Sequence, residues 1–223
     1  MSTITKTISA KVSIVNSNNT PDPTRAEDLS ISKLNPNSEY SKIAEQLITE
    51  LTQCRLGKEG WRDFEKICNK IILFVFEPCF APFGNIEEQS YSLSGIDRID
   101  YRIPNNTRND RTSTFWQEVK QQYYCHNIVV ECKNLTNFLQ KDEIQQTAGY
   151  SWYTNGTFRI IFSRKGVDEH GLIILRNYFT TSEKKLILVF SQDDLIELIK
   201  TRTNSTEPED ILCRLRSRIF KGI

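Results

Sequence analysis

Residues 127–134, NIVVECKN, combine a short apolar run with two charged side chains at its end. A run of this length, bounded by polar residues, predicts a buried β-strand. Because side chains alternate along a strand, Glu131 and Lys133 share one face and Cys132 lies on the other. Ionised groups beside a buried run are almost always paired with an opposite charge or bound to a metal. The segment therefore predicts a strand with a charged site that requires a partner.

A second strand-like segment, RIDYRI at residues 98–103, precedes it. Its alternation predicts an apolar face of Ile99, Tyr101 and Ile103 and a polar face of Arg98, Asp100 and Arg102. If the two segments pair as neighbouring strands, the carboxylate of Asp100 approaches that of Glu131. Two carboxylates at such range repel each other unless a cation lies between them, and Mg²⁺ prefers oxygen ligands of this kind.

A third carboxylate falls on the apolar stripe of a helix predicted over residues 58–78. The stripe recurs at helical spacing and comprises Trp61, Phe64, Cys68, Ile71, Ile72 and Val75. Glu65 lies on this stripe, one turn after Trp61 and one turn before Cys68. Placing a carboxylate on an apolar stripe is unfavourable unless the group has a partner, and a metal ion or a water molecule could be that partner.

Each of these features also has a plainer interpretation. Glu131 and Lys133 could form a pair on a half-exposed edge strand, and Asp100 could form a surface ion pair, which would contribute little. Glu65 could reach solvent at the margin of its stripe. The order of the three features along the chain favours a shared site over three separate explanations.

This ordered set resembles the PD-(D/E)XK nuclease superfamily, the fold of many restriction enzymes, over roughly residues 58–220. Asp100 matches the metal-binding Asp of that family, and Glu65 matches its helix acid. The segment Glu131-Cys132-Lys133 matches its (D/E)-x-K motif. The resemblance implies an α/β fold of the restriction-endonuclease type, a three-layer sandwich around a central mixed β-sheet flanked by helices.

Further segments extend the resemblance. Gln146 and Tyr150 of QTAGY match the Gln-x-x-x-Tyr motif of RecB-type members. FWQEV, IIFSRKG and KLILVFSQDDLIELI fit the pattern of a bacterial branch of restriction-endonuclease-like domains. In one departure, Ile99 occupies the place of the usual Pro. In a second, the interval before Glu131 is long, which leaves Asp97 as a rival ligand. Strand alternation places Asp97 opposite Asp100, so Asp100 is preferred.

The resemblance implies Mg²⁺-dependent hydrolysis of phosphodiester bonds, with Mn²⁺ as a substitute. The metal ligands would be Asp100, Glu131, the backbone carbonyl of Cys132 and Glu65. Lys133 would position or help to deprotonate the attacking water and offset charge on the phosphate. Gln146 and Tyr150 would steer the nucleic-acid backbone or the lysine. Arg164, Lys165, Arg108 and Arg111 are candidate phosphate contacts, with a solvated loop as the alternative.

The implied function is a DNA endonuclease, and a role in restriction or defence against foreign DNA follows by analogy alone. One alternative is an RNA or structure-selective nuclease on the same fold. Another is a catalytically silent nucleic-acid-binding or assembly module. The near-neutral net charge mildly favours it, since Lys plus Arg number 29 and Asp plus Glu number 28. The intact set of motif residues argues against this last alternative. Nucleic acid, DNA before RNA, is the expected partner.

The chain of 223 residues predicts two parts. Residues 1–38 read as an N-terminal strand or arm and a linker, and residues 39–223 as the nuclease-like domain. Helices are predicted over 40–56, 58–78, 113–122, 141–153, 192–200 and 207–220, and strands over 94–103, 127–133, 157–163 and 185–191. The last two helices are candidates for a homodimer interface.

The six cysteines include no Cys-x-x-Cys pair, which argues against a structural zinc site or a disulfide framework. The N-terminus lacks the apolar region of a signal peptide, and no apolar run is long enough to span a bilayer. These observations predict a cytoplasmic protein without a membrane partner.

Overall fold

The computed structural model describes residues 36–76, 87–91, 98–105, 114–150, 155–182, 184–204 and 206–221. Nearly all of the predicted arm over residues 1–38 lies outside these ranges. The rival ligand Asp97 and the candidate phosphate contacts Arg108 and Arg111 lie outside them as well. The other candidate site residues lie within the described ranges.

Among the described residues, one mixed sheet of five strands, in the spatial order β1-β2-β3-β4-β5, forms the centre of the fold. Its strands are β1 (Glu87–Tyr91), β2 (Arg98–Pro104), β3 (Asn127–Lys133), β4 (Phe158–Ser163) and β5 (Leu186–Phe190). β1, β2 and β3 pair antiparallel, whereas β3, β4 and β5 pair parallel. Every residue of β4 and β5 is buried, as expected for parallel strands covered on both faces.

Helices flank this sheet. They are α1 (Pro36–Gln53), α2 (Trp61–Phe76), α3 (Thr114–Gln122), α4 (Lys141–Gly149), α5 (Glu169–Thr180), α6 (Gln192–Lys200) and α7 (Pro208–Phe220). α2 packs on β3, α6 packs on β4 and β5, and α1 contacts both of these helices. α4 packs on β4, α5 packs on β5, and these two helices contact each other. The predicted α/β class is confirmed, and the arrangement is compatible with a three-layer sandwich.

The two helices predicted as a dimer interface turn their apolar sides to the core of their own chain. α6 buries Leu195, Leu198 and Ile199, and α7 buries Ile211, Leu212, Leu215 and Ile219. Within the described ranges, no helix is both long and apolar enough to cross a membrane.

Two elements were not predicted. α5 lies between β4 and β5, where the sequence interpretation had two consecutive strands. Its start has a recognisable signal, because the Asp168 carboxylate accepts a hydrogen bond from the Gly171 amide at 2.8 Å, as an N-cap does. The helix supplies the crossover that two parallel strands require. β1 carries a weaker signal, since Glu87, Glu88 and Gln89 are exposed and offer no apolar alternation.

Asn134, directly after β3, joins this strand to the connection between α1 and α2. Its buried amide nitrogen donates to the carbonyl oxygens of Arg55 at 2.8 Å and Gly57 at 3.0 Å. The Gly57 amide in turn donates to the backbone carbonyl of Asn134 at 2.9 Å. Sequence reasoning did not single out this residue, although it ends the quoted segment. The contacts fix the start of α2 relative to the charged end of β3.

We expect Asn134→Ala to lower the free energy of unfolding by about 2 kcal/mol, because the buried Asn134 loses both of its hydrogen bonds and two carbonyl groups lose their donor. Asn134→Asp should destabilise further, since a carboxylate would face the same two carbonyl oxygens. Urea unfolding followed by tryptophan fluorescence measures both changes, with the exposed Asn204→Ala as the control. Equal stability of Asn134→Ala and wild type would contradict this role.

Candidate active site

The pairing of β2 with β3 brings Asp100 and Glu131 together, as predicted. Tyr101 lies opposite Val130, so the next position places Asp100 opposite Glu131. At that point the Asp100 carboxylate accepts the backbone amide of Cys132 at 2.8 Å. The Asp100 side chain thus accepts a hydrogen bond that a backbone carbonyl of β2 would ordinarily accept, just beyond the last paired residues of β2 and β3. Asp100 is therefore held at the seam between the two strands.

This contact corrects the predicted alternation along β2. Tyr101 and Ile103 lie in the main core, but Ile99 packs with Val129 and Tyr150 in a separate small cluster. Residues 99–101 are all buried in succession. Asp97 and Asp100 were expected on opposite faces of the strand because side chains were taken to alternate regularly through Ile99. The preference for Asp100 now follows from its bond to Cys132 instead.

Glu131 is buried and paired with Lys133. The residue is 4% exposed, and its Oε1 accepts a hydrogen bond from Lys133 Nζ at 2.8 Å. β3 lies between β2 and β4, which excludes the half-exposed edge strand as an explanation of the pair. Lys133 Nζ also donates to the side-chain oxygen of Gln146 at 3.1 Å, which ties the lysine to α4.

Glu65 reaches the same group of carboxylates from α2. Its carboxyl interacts with that of Asp100, and its Oε1 accepts from Arg98 Nη2 at 3.3 Å. The side chain of Glu65 is 13% exposed, so it does not simply extend into solvent. Trp61 departs from the prediction, because this residue is 37% exposed and lies outside the buried stripe.

Burial raises the pKa of all three carboxyl groups, and the charge of Asp100 adds to this effect at Glu65 and Glu131. Burial, followed by the charge of Asp100, raises the pKa of Glu131 to about 7 against the opposing effect of Lys133. Burial and the charge of Asp100 likewise raise the pKa of Glu65 to about 7. Burial also raises the pKa of Asp100 above its ordinary value, against the bond from the Cys132 amide. Clusters of perturbed carboxyl groups are typical of functional sites.

These shifts predict how the metal-free protein responds to pH. The pKa values of Glu65 and Glu131 are near 4.5 when unfolded and about 7 when folded. The folded state therefore holds more protons on these two groups in this range, so their contribution to stability is fully present below pH 4.5 and is lost as the pH rises to about 7. We expect a loss on the order of 1–3 kcal/mol in urea unfolding with EDTA. Glu65→Gln should flatten part of this slope, and an unchanged or rising stability would contradict the prediction.

The donor set fits a hard divalent cation. Within the described residues, the second carboxylate oxygen of Glu131, Oε2, is buried and has no hydrogen-bond partner. A buried carboxylate oxygen without a partner is costly, and a cation would satisfy it. The described residues contain no preformed group of three His, Cys, Asp or Glu ligands. The available ligands are instead the carboxylates of Asp100 and Glu131 and the backbone carbonyl of Cys132. These are oxygen ligands suited to Mg²⁺ or Mn²⁺.

Gln146 and Tyr150 occupy different environments. Gln146 is exposed and contacts Lys133, whereas Tyr150 is 1% exposed and lies beyond the last residue of α4. The predicted helix over 141–153 ends at Gly149, and the Tyr150 hydroxyl donates to the backbone carbonyl of Arg98 at 3.3 Å. Gln146 thus positions the lysine, and Tyr150 supports the start of β2.

The two described candidates for phosphate contact also differ. Arg164 is 7% exposed, and its guanidinium donates to the Gln192 side chain at 2.8 Å and the Cys54 carbonyl at 3.0 Å. These bonds hold Arg164 between the residue after α1 and the start of α6, and its contact with phosphate stays a prediction. Lys165 is exposed, but it lines a separate cavity together with Asp193 and Arg218.

Comparison with known proteins identifies no relative: no family model, curated protein or solved structure matches the chain. The geometry of the site is therefore the basis for proposing a function.

Proposed function

We propose that the protein is a metal-dependent endonuclease that hydrolyses phosphodiester bonds in DNA, on a fold of the restriction-endonuclease type. The observation that carries the proposal is the buried Oε2 of Glu131, which lacks a partner among the described residues. The carboxyl group of Glu131 interacts with the charge of Asp100, and its other oxygen accepts the hydrogen bond from Lys133. A structural ion pair alone would not require an additional unpaired carboxylate oxygen in a buried position.

Asp100, Glu131 and the backbone carbonyl of Cys132 would hold Mg²⁺, with Glu65 available as a further ligand or as a ligand to water. When bound, Mg²⁺ supplies acidification of water and stabilisation of negative charge on phosphoryl oxygens. The three carboxyl groups become fully ionised more easily next to a cation, because burial raises all three pKa values and the charge of Asp100 raises those of Glu65 and Glu131 further.

Lys133 is positioned to act on the substrate. An ammonium group has three donors, and two of them are used by Glu131 at 2.8 Å and Gln146 at 3.1 Å. The remaining donor can orient the attacking water or bind a phosphate oxygen as negative charge develops. The bonds to Glu131 and Gln146 fix the ammonium group before substrate binds, which is the preorganisation that such stabilisation needs.

RNA hydrolysis on the same fold is the nearest alternative, because the site acts on a phosphodiester that both polymers share. A binding module without turnover is a different class of function. The ammonium group held beside two acidic side chains favours turnover, since binding phosphate alone gives no reason to bury carboxylates next to it. A role in restriction or defence rests on analogy with restriction enzymes.

A hydrolysis assay tests the proposal. Supercoiled plasmid, single-stranded DNA and RNA are each incubated with the protein in Mg²⁺, in Mn²⁺ and in EDTA. We expect strand cleavage with either metal and none in EDTA. A folded protein that cleaves none of these substrates with either metal would overturn the proposal and favour the binding module.

A further inference from the structure

A cavity of about 340 Å³ lies beside the carboxylate cluster, between α2 and the strands β1 and β2. Glu65 and Arg98 line it, and the same two residues form the ion pair described above. Trp61, Arg62, Lys66 and Tyr101 are also part of its wall. The volume falls at the small end of the range for ligand pockets in proteins. The cavity thus adjoins the proposed site for phosphodiester hydrolysis through Glu65.

Trp61 gives this cavity an aromatic surface that is open to solvent. The residue begins α2 and is 37% exposed, although the rest of the apolar side of this helix is buried. The guanidinium carbon of Arg62 lies 5.2 Å from the ring centroid, and that of Arg98 lies 5.7 Å from it. The indole is therefore already a surface on which planar cationic groups stack.

Positive charge predominates around the indole. Arg62 and Lys66 are exposed, and Arg98 is partly exposed. Two carboxylates also line the cavity: Glu65 is paired with Arg98, and the charge of Glu88 is outnumbered by those of Arg62 and Lys66. The exposed cations consequently face solvent next to an aromatic ring, a combination found in proteins that bind single-stranded nucleic acid.

We propose that this cavity binds an unpaired base of a single-stranded nucleic acid, with Trp61 as the stacking surface and Arg62 and Lys66 as phosphate contacts. The proposal rests on the proposed nuclease function, and it names the class of substrate for that site. An exposed cation–π contact contributes less than a base stacked on an aromatic ring. An entering base therefore displaces the exposed guanidinium of Arg62, which becomes available to the adjacent phosphate.

A regular duplex cannot make this interaction, because its bases are stacked on one another and their faces are covered. The substrate must be single-stranded or locally opened next to the cleaved bond. Single-stranded DNA and RNA share the base face and the phosphate, so both can use this surface, and separate arms of the experiment distinguish them.

Fluorescence anisotropy in EDTA tests binding apart from hydrolysis. The probes are short labelled single-stranded DNA, single-stranded RNA and blunt duplex DNA. We expect Trp61→Ala to weaken binding of at least one single strand about 10-fold, while duplex binding changes little. Trp61→Phe should retain most of the affinity, because its ring can still stack. The control is Tyr124→Ala, which removes an aromatic side chain that is 70% exposed at the opposite end of β3.

The outcomes separate this inference from the proposed function. Metal-dependent hydrolysis with unchanged single-strand affinity in Trp61→Ala would overturn the stacking surface and leave the nuclease intact. Loss of affinity in Trp61→Ala, without hydrolysis by wild type, would support the surface and overturn the nuclease. An equal loss of affinity in Tyr124→Ala, or for the duplex, would also overturn the inference, since the effect would not belong to a base stacked on Trp61.

Discussion

Glu131→Gln is expected to abolish metal-dependent hydrolysis, with a loss on the order of 10³-fold or more. The substitution keeps the shape of the side chain but removes the negative charge that would hold the cation. It also leaves Lys133 without its ionic partner at 2.8 Å. Initial rates on the preferred substrate, measured over a series of Mg²⁺ concentrations, give the size of the loss.

The stability of the same variant separates catalysis from folding. At pH 8 the wild-type carboxylate is ionised although burial raises its pKa to about 7, so its charge opposes folding. Without metal, Glu131→Gln should therefore melt at or above the temperature of wild type at pH 8. This advantage should disappear near pH 5, where wild-type Glu131 is protonated.

Glu197→Gln provides the matched control, because it makes the same chemical change at an exposed carboxylate paired with Arg214. Its hydrolysis rate should equal that of wild type. Undiminished Mg²⁺-dependent cleavage by Glu131→Gln would remove Glu131 from the metal site. A collapse of stability at pH 8 would contradict the electrostatic description of the buried carboxylate.

Lys133→Ala is expected to lower kcat about 10²- to 10³-fold while KM changes much less. The reason is that the free donor of this ammonium group acts on the water or on the developing phosphate charge, and both matter most in the transition state. Single-turnover rates and substrate affinity, measured separately, distinguish the two effects. Lys141→Ala removes an equal charge from the exposed start of α4 and should leave both quantities unchanged.

A parallel loss of affinity and rate in Lys133→Ala would indicate a binding residue rather than a residue of the chemical step. Unfolding of the variant is checked by its circular dichroism, because Glu131 would lose its hydrogen bond from Lys133. Gln146→Ala gives a second measurement, since it leaves the lysine in place and removes only its 3.1 Å contact. A smaller loss of kcat in that variant would support a positioning role for Gln146.

The sequence was sufficient for the elements whose local and global signals agree. β3 spans Asn127–Lys133 and α6 spans Gln192–Lys200, with the bounds that alternation and helical spacing predict. The approach of Asp100 to Glu131 followed from pairing the two segments as neighbouring strands, and the observed register, with Tyr101 opposite Val130, places these residues opposite each other. Helix α2 was also predictable, since its apolar stripe is regular over most of its length.

The departures occur where tertiary contacts override local patterns. Ile99 packs with Val129 and Tyr150 instead of with the main core, next to the bond that Asp100 accepts from the Cys132 amide in the partner strand. Arg164 is buried because carbonyl and amide oxygens from distant parts of the chain satisfy its guanidinium. Trp61 is exposed although its spacing is that of a core residue. None of these contacts can be read from neighbouring residues in the sequence.

The position of β5 has a consequence for the solubility of the chain. β5, with the sequence LILVF, is the outermost strand on its side of the sheet among the described residues, and it carries no charge. An uncharged apolar edge of high β-propensity is a template for aggregation when it is uncovered. α7 contacts both β5 and α5, and it follows all the other described elements in the chain. A chain truncated before Pro208 would lose these contacts and expose part of β5 to other chains. We therefore expect the last helix to protect the chain against self-association.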